Sequence, residues 1–434
     1  MIKRPCRQNS PSMRNKAASI LLLGLLFVSA VGLNKAAAED FLDLDKLIVE
    51  VLSGNHEIIA AETKADTSAF RISQAASPPD PMISVGYQNE GFQRFTLGEE
   101  QGAQFMLGLA QTFSFPGKLA LKEQAAAKET DSLKLASEDV RLKTVARVKE
   151  LYFDLLLSYK TIEIIAERAA LFDSFTDASI ARYSSGIGQQ EDVLMAQKEK
   201  YMLMEKEEME RQKIQSISGD LNTTLGRDVN SPLGRPVVRP KAPFTMTLEG
   251  TIRRAYEAAP AIRAKEELIS QAKIKIESAK KDFYPDVSLS AGYFKRSGDF
   301  KDMWSLTASF PIPIFYKKKQ SMAVAEAASM AAEAEHELDN AKAMRAASVR
   351  ENYTMIQSSE KLMGLYKDAL IPRTWQDYEL AVSSYINGRV DALNVVTRLK
   401  SLLDYELEYW SQYAAREKAA ARIEALTAPS VRGE

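Results

Sequence analysis

The chain of 434 residues carries 57 Lys plus Arg against 58 Asp plus Glu, is 45% hydrophobic and has a single cysteine. That balance offers no basic field for nucleic acid, and one cysteine supports neither a disulfide framework nor a cysteine metal cluster. The length suits a large, helix-rich body, but composition names no function.

Residues 1–38 read as a secretory signal peptide. Lys3, Arg4, Arg7, Arg14 and Lys16 precede an apolar run from Ala17 to Leu33, and Ala36-Ala37-Ala38 is a small-residue cleavage site. Cleavage removes six basic residues, Lys35 included, leaving 51 against 58 acidic and a net charge near −7. It also removes Cys6, which stands before the apolar run and so is not a lipid-modified first residue.

Residues 39–230 form the first of two structural repeats. Leu44 to Ala76 has helical periodicity with a local break at His56, read as a turn residue because a zinc-type His-Glu-x-x-His would need histidine where Ala60 stands. A β-hairpin follows at about 82–113. Ile83, Val85 and Tyr87, then Phe105, Leu107, Leu109 and Phe113, point one way; Ser84, Gly86 and Gln88, then Gln104, Gly108, Ala110 and Thr112, point the other. A soluble sheet usually sets charge opposite its core, whereas small polar residues opposite an apolar face with aromatic ends suit a wet lumen and lipid. Prolines in Pro79-Asp80-Pro81 and Phe115-Pro116-Gly117-Lys118 end strand pairing on either side.

A helical hairpin occupies about 118–226. The tract after Gly117 meets no turn before Tyr183-Ser184-Ser185-Gly186, and at about 1.5 Å per residue it approaches 100 Å. Val145, Val148, Tyr152, Leu155, Tyr159, Ile162, Ala166 and Ala169 make a heptad seam, whose expected partner is the antiparallel return from Gln190 to Leu225. The proline-rich stretch 231–247 links the repeats.

Residues 248–427 repeat the arrangement, and 428–434 form a polar tail expected to be loose. Pro285-Asp286 echoes Pro79-Asp80, Gly292-Tyr293 echoes Gly86-Tyr87, and Leu306, Phe310 and Pro313 echo Leu109, Phe113 and Pro116, about two hundred residues later. The second β-hairpin, about 286–311, turns Leu289, Trp304 and Leu306 to the same apolar face. The second helical hairpin, about 316–426, is expected to kink at Pro372 and to turn at Tyr385-Ile386-Asn387-Gly388. Four strands cannot close in a membrane, where each unpaired backbone group costs several kcal/mol and barrels start at about eight strands. Several chains must therefore share one barrel, two giving eight strands or three giving twelve.

Ala369-Leu370-Ile371-Pro372, followed by Tyr385-x-x-Gly388, Asp391, Leu393 and Val395-Val396, resembles the TolC-type outer membrane efflux protein family. The first repeat carries the same signature in Arg182-Tyr183-x-x-Gly186 with Asp192-Val193-Leu194, and the turns flanking the first β-hairpin resemble the heavy-metal branch. The resemblance, covering about Leu44 to Leu426, implies a mainly α fold with a small membrane β part. It implies a homotrimer with a 12-stranded β-barrel in outer membrane lipid, continued by a periplasmic α-helical barrel, in partnership with a periplasmic adaptor and an inner-membrane transporter of the RND type. By position, the adaptor-docking tip comprises Tyr183, Gly186, Ile187, Gly188, Tyr385, Asn387, Gly388 and Arg389. Asp391 is a candidate for an acidic ring gating the pore, against helix capping beside a turn. Val85, Leu107, Leu109, Leu289, Trp304 and Leu306 are the expected lipid-facing wall.

No Gly-rich phosphate loop, cysteine cluster or nucleophile elbow appears, so no catalytic, cofactor or metal site is expected. Glu333-Ala334-Glu335-His336-Glu337 reads as a solvated helix face. A soluble periplasmic coiled-coil scaffold is the alternative, favoured if the mature chain dissolves without detergent.

Overall fold

The computed structural model describes residues 41–241 and 243–428. The expected signal peptide and the tail beyond 428 lie outside the described residues. The first repeat runs β1 (Phe41–Leu42), α1 (Leu44–Gly54), α2 (His56–Ala76), β2 (Met82–Gln88), β3 (Gln104–Phe113), α3 (Lys118–Ser184) and α4 (Gln190–Leu225). The second runs β4 (Arg235–Pro236), α5 (Leu248–Glu257), α6 (Pro260–Lys281), β5 (Val287–Lys295), β6 (Met303–Ser309), α7 (Gln320–Leu365), a π-helical turn (Tyr366–Leu370), α8 (Ile371–Ile386) and α9 (Ala392–Thr427).

At 67 residues α3 is the axis of the molecule, about 100 Å long at 1.5 Å per residue. Shorter helices are laid end to end along it: α2 and α6 against its first half, α4 and α9 against its second. The seam read from the sequence is therefore shared. Val148, Tyr152 and Leu155 pack with Leu47 and Val51 of α1, Leu221 and Leu225 of α4, and Tyr413 of α9, so α4 is one partner among several. Beyond Tyr159 the heptad reading fails. Ala166 is exposed, while Ile164, Ile165, Phe172 and Phe175 are buried. A straight helix drifts by about 20° per heptad, so over this length the buried stripe moves off a fixed seven-residue register.

One local expectation is corrected, and two are made specific. The break before α2 belongs to Asn55, whose side-chain oxygen accepts the Ile58 N–H at 2.9 Å and whose amide donates to the Thr224 carbonyl at 2.7 Å; His56 is simply the first residue of α2. Pro372 interrupts the regular α-helix, with the π-helical turn Tyr366–Leu370 just before it. It lacks an N–H and crowds the carbonyl four residues back, and the preceding turn widens so that Ile371 N–H reaches the Tyr366 carbonyl before α8 continues. The linker between the repeats is held in place. β4 pairs in parallel with β1, Tyr152 Oη donates to the Val237 carbonyl at 2.8 Å and accepts its N–H at 2.9 Å, and Tyr413 Oη donates to the Arg239 carbonyl at 2.7 Å. Burial pushes the Tyr413 phenol up to about 12, with the Glu417 carboxylate adding to the shift, so it stays a donor throughout the ordinary pH range.

Candidate functional site: a two-faced sheet and a paired helical tip

The four long strands form one antiparallel sheet in the order β2-β3-β5-β6, with the outer edges of β2 and β6 unpaired. Its register brings the alternations of the two repeats into phase. Val85 lies opposite Leu107, Leu107 opposite Tyr293 and Tyr293 opposite Trp304; one step along, Ile83 lies opposite Leu109, Leu109 opposite Ala291 and Ala291 opposite Leu306. All of these share a face, since directly opposed residues project to the same side. Leu289 joins it through Gln111 and Ala308. The opposite face carries Ser84, Gly108, Gly292 and Ser305 in one row and Met82, Ala110, Ser290 and Thr307 in the next, while the row nearest the loops, Gly86, Met106, Phe294 and Met303, is apolar on this face too.

The apolar face is bare. Val85 and Trp304 on the two edge strands are each 79% exposed, and Leu306 is 72% exposed. Soluble proteins guard such edges with charge, proline or bulges, and neither β2 nor β6 carries these devices. Aromatic residues bound the apolar band. Tyr87, Phe95 and Phe105 cluster at the end remote from the helices, with ring centroids 4.6 and 5.1 Å apart, and Phe113 and Phe115 mark the helical end. From Phe105 to Phe113 the strand runs about 26 Å at roughly 3.3 Å per residue, which at the usual tilt of about 40° covers most of the apolar band, about 25 Å tall, of outer-membrane barrels.

The two β-hairpins are joined at the helical end by Asp286. Its carboxylate accepts the Phe115 N–H at 2.7 Å and lies 3.0 Å from Lys118 Nζ. Burial alone would raise this carboxyl, but those two bonds outweigh it and hold the group below its usual range. The tie is thus fully present above the ordinary carboxylate pKa and is lost as pH falls through the depressed one.

At the other end of the molecule the turns α3–α4 and α8–α9 sit side by side. Each is a Schellman motif. Ile187 N–H bonds to the Arg182 carbonyl at 3.1 Å and Gly186 N–H to the Tyr183 carbonyl at 3.0 Å, while Arg389 and Gly388 bond to Ser384 and Tyr385, both at 2.9 Å. Gly186 and Gly388 take φ of 73° and 71°, the left-handed conformation that costs a side chain. Gly188 is required for a different reason: a Cβ there would meet the Tyr183 nitrogen at 2.9 Å.

Tyr183, Gly186, Ile187, Asn387, Gly388 and Arg389 are exposed, as a docking tip would need. Tyr385 is not. It is buried beneath the Arg182 guanidinium, 4.4 Å from its ring centroid, with Phe175 at 5.1 Å, and its hydroxyl reaches Asp192 Oδ2 at 3.0 Å and Ser179 Oγ at 3.2 Å. Burial pushes this phenol above its ordinary value and the nearby Asp192 carboxylate adds to the shift, so Tyr385 is a proton donor holding one helical hairpin to the other. A tyrosine three residues before a turn glycine carries no mark of burial in the sequence, and the pairing with Asp192 spans 193 positions. Tyr385→Phe is expected to loosen the tip by about 1.5 kcal/mol, the low end for a bond to a charged partner because Asp192 reaches water. Amide hydrogen exchange should quicken in both turns with the sheet unchanged; unaltered exchange in the turns would show that the bond does not join them.

Asp391 caps α9. Its carboxylate accepts the Asn394 N–H at 3.2 Å and also the Asn394 side-chain amide, and it remains exposed. Glu335 and Glu337, in the acidic stretch of α7, are committed to Lys273 and Lys265 of α6. Among the described residues no cluster of His, Cys, Asp and Glu has metal-binding form, and no helix is long and apolar enough to cross a membrane.

An open sheet with one lipid-compatible face, mounted on two helical hairpins that meet at a distant tip, is the fold of an outer membrane channel subunit. Residues 47–227 and 251–428 match the model of the outer membrane efflux protein family, and the chain belongs to that family. It is an outer membrane protein whose helical part is periplasmic. Similar solved structures include CusC, at 17% identity and a TM-score of 0.77, covering 92% of this chain and 95% of that one. VceC from Vibrio cholerae is 17% identical with a TM-score of 0.74, covering 88% of this chain and 96% of that one. CmeC from Campylobacter jejuni is 15% identical with a TM-score of 0.74, covering 88% and 85%. No curated protein sequence matches at a significant level.

Proposed function

We propose that three copies of this chain close one 12-stranded barrel in the outer membrane and continue it as a periplasmic helical tunnel, making a passive export duct. The observation that carries this is the open sheet. Running away from the helices, back, away and back, β2, β3, β5 and β6 alternate in direction, so β2 of a second copy continues the antiparallel series beyond β6. This contact is head-to-tail and generates a ring when the rotation closes. CusC undergoes conformational changes that accompany its folding and transmembrane channel formation, which agrees with this reading.

The duct's substrates are small molecules or metal ions delivered by an inner-membrane transporter of the RND class through a periplasmic adaptor docked at the tip. The protein itself does no chemistry. The test is crosslinking in detergent together with conductance in planar bilayers. Trimers with a steady ohmic conductance are expected, and the four-strand argument fails if a stable, membrane-inserted monomer is found. A mature chain that stays soluble and monodisperse without detergent would instead make it a periplasmic scaffold.

A further inference from the structure

Residues 310–319, between β6 and α7, have no duty in the duct described so far. Along this stretch the chemistry changes in a fixed order. Phe310 and then Ile312, Ile314 and Phe315 are exposed, the last three at 70%, 74% and 77%; Tyr316 follows, and then Lys317, Lys318 and Lys319, all exposed. The backbone is nonetheless ordered, with the Phe315 carbonyl accepting the N–H groups of both Lys318 and Lys319, at 3.0 and 3.1 Å, and Tyr316 packed 6.4 Å from the Phe283 ring.

The corresponding exit of the first repeat is built differently. There Lys118 is buried and paired with Asp286 at 3.0 Å and Asp282 at 3.5 Å. Lys317, Lys318 and Lys319 form no ion pair with any described residue, in a chain whose mature form is acidic overall. At the same end of the sheet Lys281 lies over the stacked rings of Phe115 and Tyr284, 5.5 and 6.0 Å from their centroids. The helical rim of the sheet therefore bears an aromatic ring pair and, along residues 310–319, an apolar ramp followed by uncompensated cations.

We infer that residues 310–319 anchor the protein to the periplasmic leaflet by binding the head groups of anionic phospholipid through Lys317, Lys318 and Lys319. The inference rests on the barrel reading above. The ramp continues the apolar face past the end of β6 into the interfacial layer, and lysine stems lie along apolar surface while their ammonium groups reach the phosphate plane. Each lysine near an anionic surface is worth about fivefold in lipid affinity, and screening by salt reduces it. Because the cations belong to the second repeat alone, each chain carries one such patch.

The test uses the full-length protein reconstituted in mixed phosphatidylcholine and phosphatidylglycerol vesicles, re-extracted gently, with the retained lipid quantified by mass spectrometry. The wild type is expected to be enriched in phosphatidylglycerol. K317Q/K318Q/K319Q is expected to lose that enrichment by an order of magnitude, K317R/K318R/K319R to keep it, and inorganic phosphate not to displace the lipid. Equal retention of both lipids by the wild type, or full enrichment in the glutamine variant, overturns the inference, as does a photo-crosslinker at position 318 that captures a neighbouring chain in place of lipid. Conductance of the same preparation separates the two proposals: protein that conducts without a lipid preference refutes this anchor only, whereas protein that fails to insert refutes the barrel.

Discussion

Leu107→Arg or Leu289→Arg is expected to abolish stable insertion, while Ser84→Arg and Ser290→Arg leave insertion intact and change only conductance. Leu107 is the fourth residue of β3 from its loop end, between Val85 on one side and Tyr293 on the other, so a guanidinium there has apolar neighbours across both strands. Arg on the lipid face costs about 2–4 kcal/mol at the midplane and less toward either rim; Leu107 and Leu289 lie between these limits, and three chains in one barrel would each bear the cost. Ser84 sits opposite Gly108, and Ser290 opposite Ala110 and Thr307, on the face with small residues where a long side chain extends into water. The measurement is the heat-stable oligomer in outer-membrane fractions for all four variants. Equal loss on both faces would mean that the sheet is two-sided in some other sense and that the lumen assignment is wrong.

The sheet was legible because strand alternation is a local, period-two signal that survives any tertiary context, and because two copies of it stand the same distance from their flanking prolines. The register between hairpins was not written in either one. It lies in nine backbone pairs between β3 and β5, accompanied by Asp286 reaching across to Phe115 and Lys118, all contacts between separate repeats. The length of α3 was legible from the absence of turn residues, but its buried stripe was not, because four helices share it and each claims a different arc. The pairing of β1 with β4 was invisible for a plainer reason: two residues on each side hold no periodicity at all. Pro372 marked the interruption, because proline's missing N–H predicts trouble in the ladder, but it did not say how the ladder absorbs it, here by one widened turn.

The tip shows the same division between what neighbours in sequence dictate and what distant partners decide. Glycine three residues after tyrosine announces a helix end, and both turns close as Schellman motifs around Gly186 and Gly388. Which side chains then face outward depends on the other hairpin: Tyr183 remains exposed, whereas its counterpart Tyr385 is drawn inward by Asp192, Ser179 and Arg182. The repeats are thus equivalent in backbone and unlike in surface. The adaptor proposed to dock at the tip would meet Ile187 on one turn and Arg389 on the other.

Export should be lost when Gly186 or Gly388 is replaced by a large charged residue, with the oligomer still present in the outer membrane. A Cβ at Gly186 meets nothing within 4 Å, and at Gly388 only the Arg182 guanidinium at 3.7 Å, so the new side chain projects outward without striking the core. The remaining cost is the positive φ, about 1 kcal/mol, which a structure of this size absorbs locally, far from the sheet. A bulky charge would then stand where the proposed adaptor must approach. Gly188→Ala provides the contrast, since its Cβ would press on the Tyr183 nitrogen and the Arg182 carbonyl carbon, at 2.9 and 3.0 Å, and so deform the turn itself. Efflux-dependent resistance, read beside oligomer abundance, separates the cases. Export that persists with both Gly186 and Gly388 replaced removes the tip from adaptor docking; disappearance of the oligomer would make these glycines structural, because a change confined to an exposed turn has no path to the barrel except through helices that fail to pack.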